Sequence, residues 1–437
     1  MQYCRAGPTT RRRTGQPAAR RSSFQGGARS VARLRRQRGT LARPMKTLSQ
    51  SPHDRRFLRD PYRFYRQART AGPFFRWEEL DVICTTSYAA ANAILRDRRF
   101  GREVPAERRA PVPAHLAPFA AVAEHSMLEL EPPRHTRLRN LVLRAFTTRR
   151  LGSMQPQIAR LAHGLIDDMP GGPFDLLPAF SQRLPITLIA RLIGIPETLA
   201  PELLRWSSAM VAMYQAGRNR QTEERAAEAA AAFSDFLRLH IADRRDRPAD
   251  DLLTHLIAAE ADGQQLSTDE IVSTCILILN AGHEAAVHAI GNAVATLLQH
   301  RTPPEALGPA RIAATVEEML RFDPPLHLFR RIAYAPVEIM GQTFAEGEEV
   351  ALLLAAANRD PGPWERPDRF LWNRPEKPHL AFGAGLHFCL GAALARLELA
   401  MAVPILFTRL PGLHLVKPPR WSDSWHFRGL ERLIVAP

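Results

Sequence analysis

The residues best suited to chemistry lie in HLAFGAGLHFCLGAALARLE, His379–Glu398, where Cys389 stands two residues after His387 and among glycines at 383, 385 and 391. Glycines on both sides of a thiol let the backbone bend tightly and let a flat ligand approach the sulfur. The Ala- and Leu-rich helix that follows directs unpaired N–H groups at Cys389, which favours a thiolate. Such a thiolate can hold a metal or act as a nucleophile. A zinc site needs more ligands than His387 and Cys389 supply, and no second Cys/His pair lies at finger-like spacing. A nucleophile needs a positioned histidine base. Neither reading accounts for the glycines together with Phe382.

The stretch resembles the cytochrome P-450 family of haem-thiolate monooxygenases. The signature F-G-x-G-x-H-x-C-x-G-x-x-L-A-R is matched at Phe382, Gly383, Gly385, His387, Cys389, Gly391, Leu394, Ala395 and Arg396. The resemblance implies one haem b with Cys389 as its axial iron ligand, Phe382 covering the sulfur and His387 bonding a propionate. A thiolate ligand pushes electron density toward O–O cleavage. Further stretches match in the family's order, and the likeness spans roughly residues 55–437. EEMLR holds E-x-x-R at Glu318 and Arg321; with FDPP after it and PDRF at Pro367–Phe370, it resembles the family's buried Glu–Arg network, with Arg369 as third member. EPPRHTRLR resembles the haem-flanking helix and places His135 and Arg139 on propionates. FRRIA puts Arg331 in the same role and leaves Arg330 as a surface charge. Two carboxylates on a buried cofactor need such cations.

One position departs from the pattern. The family shows A/G-G-x-D/E-T where this chain has AGHEAA, Ala281–Ala286. Ala281 and Gly282 keep bulk low above the iron, and Glu284 matches the acid, but Ala285 replaces the threonine whose hydroxyl helps deliver protons. Alanine can donate none. Proton delivery must then use Glu284, ordered water or a hydroxyl on the substrate. His283 reads as a structural partner inside the fold. His327 and Phe329 fall where the resemblance places substrate contacts, and Phe427 is a candidate for the opposite wall.

These residues need a frame. Periodicity and capping signals predict helices around 61–71, 88–96, 133–145, 151–169, 181–193, 201–215, 222–245 and 310–322, with strands near 74–85, 329–334, 337–340 and 349–353. The clearest helix starts at LSTDE, where Ser267 and Glu270 have capping-box spacing, and stops near His300 before RTPP. It is apolar on nearly every face and should be buried. Residues 101–128, rich in proline and small side chains, read as a long irregular loop that supplies a lid. The fold class is mostly α with a small β region, the cytochrome P-450 fold, with haem between the long helix and the Cys389 loop.

Composition sets the outer limits. The chain has 437 residues, 45% hydrophobic and 24% charged, enough for a large buried core. Its net charge of +15 belongs to the tail: residues 1–50 hold 13 Lys/Arg and no acid, leaving 46 basic against 44 acidic residues elsewhere. That tail reads as disordered, and three interpretations of it compete: an anion-binding appendage, a transit peptide or, as favoured, sequence ahead of a start at Met45. Residues 51–437 read as a single haem-thiolate domain with no nucleic-acid role. No uninterrupted apolar run approaches a membrane span. Cys4, Cys84, Cys275 and Cys389 form no disulfide framework, which suits a reducing compartment, and Cys84 and Cys275 read as inert buried thiols.

The expected protein is a cytoplasmic monomer. It inserts oxygen into a small apolar molecule using NAD(P)H electrons from a separate ferredoxin and ferredoxin reductase, because it carries no flavin or iron–sulfur pattern of its own. A basic surface near Arg137 and Arg144 is the candidate face for an acidic redox partner. The alternatives are a non-catalytic haem protein for sensing or carriage, and a peroxide-dependent haem-thiolate enzyme.

Overall fold

The long apolar run from residue 268 is a helix because its start is capped and its interior faces other helices. A computed structural model describes residues 45–145, 148–214, 218–261 and 264–437, and in it this central helix spans Thr268–Gln299. The Glu270 amide donates to Ser267 Oγ at 3.2 Å and the Ser267 amide to Glu270 Oε2 at 2.9 Å, closing the box. Its 32 residues extend about 48 Å. By length and composition it could cross a bilayer. Here it runs through the main apolar core, against the helices Arg183–Ile193, Ala200–Val211, Arg220–Asp246 and Ala392–Arg409.

A six-stranded sheet flanks the helices, in the spatial order Thr47–Leu48, Phe75–Trp77, Val82–Thr85, Glu349–Leu353, Leu328–Ala333, Phe100–Gly101. Glu349–Leu353 pairs in parallel with Val82–Thr85 and antiparallel with Leu328–Ala333, placing Val350 opposite Arg331 and Leu352 opposite Phe329. Thr47–Leu48 pairs with Phe75–Trp77, so the sheet takes in residues ahead of the boundary read at 51. The basic tail before Met45, with Cys4, lies outside the described residues. Cys84 and Cys275 are fully buried, and burial pushes each thiol up to about 12.

The irregular loop expected over 101–128 is in part a helix. Ala117–Glu124 is helical with proline in its first turn, preceded by single turns at Ala106–Arg108 and Ala114–Leu116. The prolines there start structure rather than prevent it, because proline fits the first helical turn and the alanines that follow are strong helix formers. By contrast, the segment from Asn358 to Pro378 has no regular element, as its composition suggests.

That segment is held by a buried ionic network. Arg321, 1% exposed, uses all five N–H donors: two on Glu318 at 2.6 and 2.9 Å, and three on the carbonyls of Asn358, Pro367 and Arg369 at 2.7, 3.0 and 3.2 Å. The third side chain differs from the one expected. Arg369 is exposed and contributes only its carbonyl, whereas Arg374 donates to Glu318 Oε2 at 3.0 Å. The Leu371 amide also bonds Glu318 Oε1, at 2.8 Å. Replacing Glu318 with glutamine leaves two guanidinium groups without their anion, and a broken buried pair costs about 3–5 kcal/mol. Urea unfolding of Glu318→Gln should report a loss of that size.

Candidate active site

A loop that carries a sulfur to a cavity wall needs its ends fixed and its middle free of side chains. The Cys389 amide donates to the Phe382 carbonyl at 3.0 Å, and the helix Ala392–Arg409 begins just after the cysteine. Gly383 and Gly385 adopt φ of +68° and +70°, a region that L side chains rarely enter. A Cβ at Gly383 would press on the Phe329 ring, and one at Gly385 would strike the Leu95 carbonyl. Gly391, with ordinary φ, instead leaves open space beside the cavity. The cavity is ≈ 700 Å³, and Phe382, Cys389, Leu394 and Ala395 form one side of it.

Across from them stands the middle of the central helix. Ala281 and Gly282 are exposed although the helix is internal, because both line the cavity, together with Asn280, Ala285 and Ala289. Phe329 and Phe427 add aromatic walls on neighbouring segments, joined by a bridge between Leu326 and Phe427. The Cys389 sulfur can be reached from this space while protein surrounds it. Burial raises its pKa, against the direction expected from the helix terminus alone; the Gly391 amide and the charges of Arg139 and Arg396 pull the other way.

Cations and donors gather on the wall near His387. His387 Nε2 bonds Glu131 Oε1 at 2.9 Å, and its ring lies 4.4 Å from that of His135. His135 is 1% exposed, its Nδ1 has no protein partner, and burial with neighbouring positive charge holds it at about 4. Arg139 reaches the Phe388 carbonyl at 2.8 Å, and the Arg102 amide bonds Glu131 Oε1 at 2.7 Å. Arg331 is buried, and desolvation followed by the charge of Arg102 lowers it to about 9.

A cysteine facing a large apolar cavity, with a cluster of arginines and histidines along its edge, matches what comparison with other proteins finds. The family model for Cytochrome P450 matches residues 312–411. Cytochrome P450 107B1 of Saccharopolyspora erythraea is 39% identical over 82% of this chain and 90% of its own length. The chain belongs to the cytochrome P450 family. The P450 monooxygenase PikC of Streptomyces venezuelae is 36% identical over 92% of this chain and 96% of its own. A crystal structure of P450BioI with an acyl carrier protein ligated to hexadec-9Z-enoic acid superposes with a TM-score of 0.82, at 35% identity, covering 87% of this chain and 99% of that one. This chain is therefore a haem-thiolate monooxygenase of the P450 fold, and P450s bind haem b. Its residues fit the group: a reachable sulfur, the glycine turns beside it, and the partnerless His135 nitrogen within a cationic cluster suit a flat, carboxylate-bearing macrocycle.

Several site residues stand elsewhere than this P450's sequence suggests. His327 faces away from the cavity; it is fully buried, and its Nδ1 meets Tyr65 Oη at 2.9 Å within an aromatic cluster. Its backbone is tied on both sides, the amide to the His426 carbonyl and the carbonyl to the Leu354 amide, and its ring packs on Tyr62 and Tyr65 instead. Arg330, read as a surface charge, lines the cavity and pairs with Glu349 at 3.0 Å, while Arg331 lies behind the wall. Glu284 is not on the wall either: its Oε1 meets His288 Nε2 at 3.1 Å, one helical turn on. Burial would raise Glu284, but the hydrogen bond and the charges of His288 and His283 prevail and lower it. Arg137, offered for partner docking, is tied to Glu270. Sequence reasoning missed Glu131, Arg102 and Asn280; only Glu131, four residues before His135, offered a signal.

His283 is 2% exposed, and burial lowers it to about 4 from an unfolded value near 6.5. Between those values the unfolded chain binds a proton that the folded chain refuses. His283's contribution is thus intact above about pH 6.5 and is lost progressively toward pH 4, by up to about 1.4 kcal/mol per pH unit. Urea unfolding across this window should show a shallower pH slope for His283→Asn than for the wild type.

Proposed function

We propose that the protein hydroxylates a small, largely apolar molecule, with Cys389 as the residue that would hold the iron of haem b and electrons supplied from NAD(P)H by a separate ferredoxin and its reductase. The observation that carries this reading is the reachable Cys389 sulfur on the same cavity as the low-bulk Ala281–Gly282 stretch of the central helix. Haem held by Cys389 would supply the iron for dioxygen activation, a chemistry that consumes two electrons and two protons and gives water beside the oxygenated product.

The chain's own groups orient and protect. His135, Arg139, His387 and Arg331 would offset the propionate charges, with Arg331 acting from behind the wall; Gly391 leaves the macrocycle room, and Gly383 lets the cysteine loop pack against Phe329. Phe382 shields the sulfur from water. Ala281, Phe329 and Phe427 exclude water and hold an apolar substrate by contact; His327 instead fixes the strand that carries Phe329. The Glu318, Arg321 and Arg374 network keeps the approach to the Cys389 loop in place. Cytoplasmic location and a monomeric state complete the proposal, with the basic stretch ahead of Met45 taking no part in the chemistry.

Proton supply is where this chain differs. Ala285 lines the cavity without a hydroxyl, and Glu284 is engaged with His288 off the wall. That arrangement favours ordered water or a substrate hydroxyl as the last carrier, with Glu284 acting behind them. Haem-loaded Ala285→Thr should raise the ratio of product to released hydrogen peroxide, and an unchanged ratio with the native substrate would remove position 285 from proton delivery. The function itself is tested by the carbon-monoxide difference spectrum of the reduced protein, followed by NAD(P)H-dependent product formation with supplied redox partners. A sulfur-ligated spectrum without turnover of any bound compound would favour the non-catalytic haem protein.

A further inference from the structure

Arg396 ends the signature, yet it belongs to neither the cationic edge of the cavity nor the Glu318 network. Its guanidinium lies over the Phe382 ring, 4.5 Å from the centroid. It also forks onto Glu317, with Nε to Oε1 at 2.6 Å and Nη2 to Oε2 at 2.9 Å. Glu317 Oε2 is 3.2 Å from His379 Nε2, and His379 Nδ1 accepts the Ala381 amide at 3.2 Å. With Nδ1 occupied by the backbone amide, His379 turns Nε2 toward Glu317. The His379 ring is itself 5.9 Å from Phe382, tilted by 33°. Phe382 thus has a cation over its ring, an imidazole beside it, and the Cys389 amide on its carbonyl.

The two adjacent acids of helix Ile312–Phe322 serve different ends. Glu318 is sealed among Arg321 and Arg374, whereas Glu317 holds Arg396. Burial would raise Glu317, but the hydrogen bonds from Arg396 and His379 hold it at about 2, so the pair is ionic at any working pH. Of the two partners, it is Arg396 that lies over Phe382, the residue whose carbonyl takes the Cys389 amide.

We infer that Glu317 and Arg396 are positioning residues that set the electrostatics of the Cys389 sulfur: Arg396 presents a fixed positive charge to it across the face of Phe382, and Glu317 both aims and attenuates that charge. The inference rests on the reading of Cys389 as haem ligand. A cation beside a metal–thiolate centre stabilises the state that carries one more electron, so its removal disfavours reduction, and removal of its counter-anion favours it.

The test is the midpoint potential of haem-loaded, substrate-free wild type, Arg396→Gln, Arg396→Lys and Glu317→Gln, with urea unfolding alongside. Arg396→Gln should shift the midpoint to more negative values and Glu317→Gln to more positive ones. Arg396→Lys, which keeps the charge but not the planar stack, should fall between wild type and Arg396→Gln. Shifts of the same sign in Arg396→Gln and Glu317→Gln, or no shift in either, would overturn the inference, because a purely structural pair gives no opposed response. Should Arg396→Gln fail to retain haem, Glu317→Gln decides alone, and absence of a positive shift is fatal. The wild-type carbon-monoxide spectrum is read first: lack of a sulfur-ligated signature there would count against Cys389 as ligand, a failure distinct from that of the pair.

Discussion

Everything in this molecule answers to the need to hold one sulfur at the wall of a cavity while the backbone that carries it stays still. A buried thiol resists ionisation, so the surroundings must make a negative sulfur acceptable, and side chains must leave room for a flat partner. The Cys389 amide on the Phe382 carbonyl, two glycines with positive φ, and a helix that starts just beyond the cysteine meet the geometric half of that demand. The electrostatic half comes from Arg139 and Arg396. The Glu318 network works one step further back, fixing an irregular segment that has no hydrogen-bonded ladder of its own.

What could be read from the sequence divides along the same line. Features imposed by local chemistry were legible: the capped central helix, the helix Tyr88–Arg96, the strand Glu349–Leu353 and the glycine-bracketed cysteine follow from neighbours a few residues apart. Features that depend on which way a side chain turns were not. Arg369 and Arg374 sit five residues apart in a segment without periodicity, so nothing local says which guanidinium reaches Glu318. His327 lies between two cavity-lining residues, and what turns its ring away is Tyr65, a partner 262 positions distant in the chain. The helix Ala117–Glu124 was hidden because prolines were read as breakers where they act as starters.

The cavity edge shows how burial and charge are reconciled. Histidines and arginines accumulate around His387; His135, His387 and Arg331 are each lowered in pKa by desolvation first and then by neighbouring positive charge, with Glu131 as the acid that joins His387 to the Arg102 backbone. Such a group of like charges is costly alone and becomes favourable once carboxylates lie against it. The site is thus built for its occupant, and its unsatisfied His135 nitrogen marks where the protein stops supplying partners to itself.

One hub connects distant parts of the chain. Asp323 accepts from Tyr62 at 2.7 Å and from Arg428 at 2.9 Å, while Arg428 also reaches the Leu58 carbonyl at 2.9 Å and its own carbonyl takes the Asn292 amide at 3.0 Å. Next to it Phe427 forms part of the cavity wall. Residues some 370 positions apart must therefore meet before the wall is complete. Since a chain emerges from the ribosome with its N-terminal part first, the pocket cannot close until this late segment has been translated. Cofactor loading must then follow, or accompany, the final stage of folding rather than seed it.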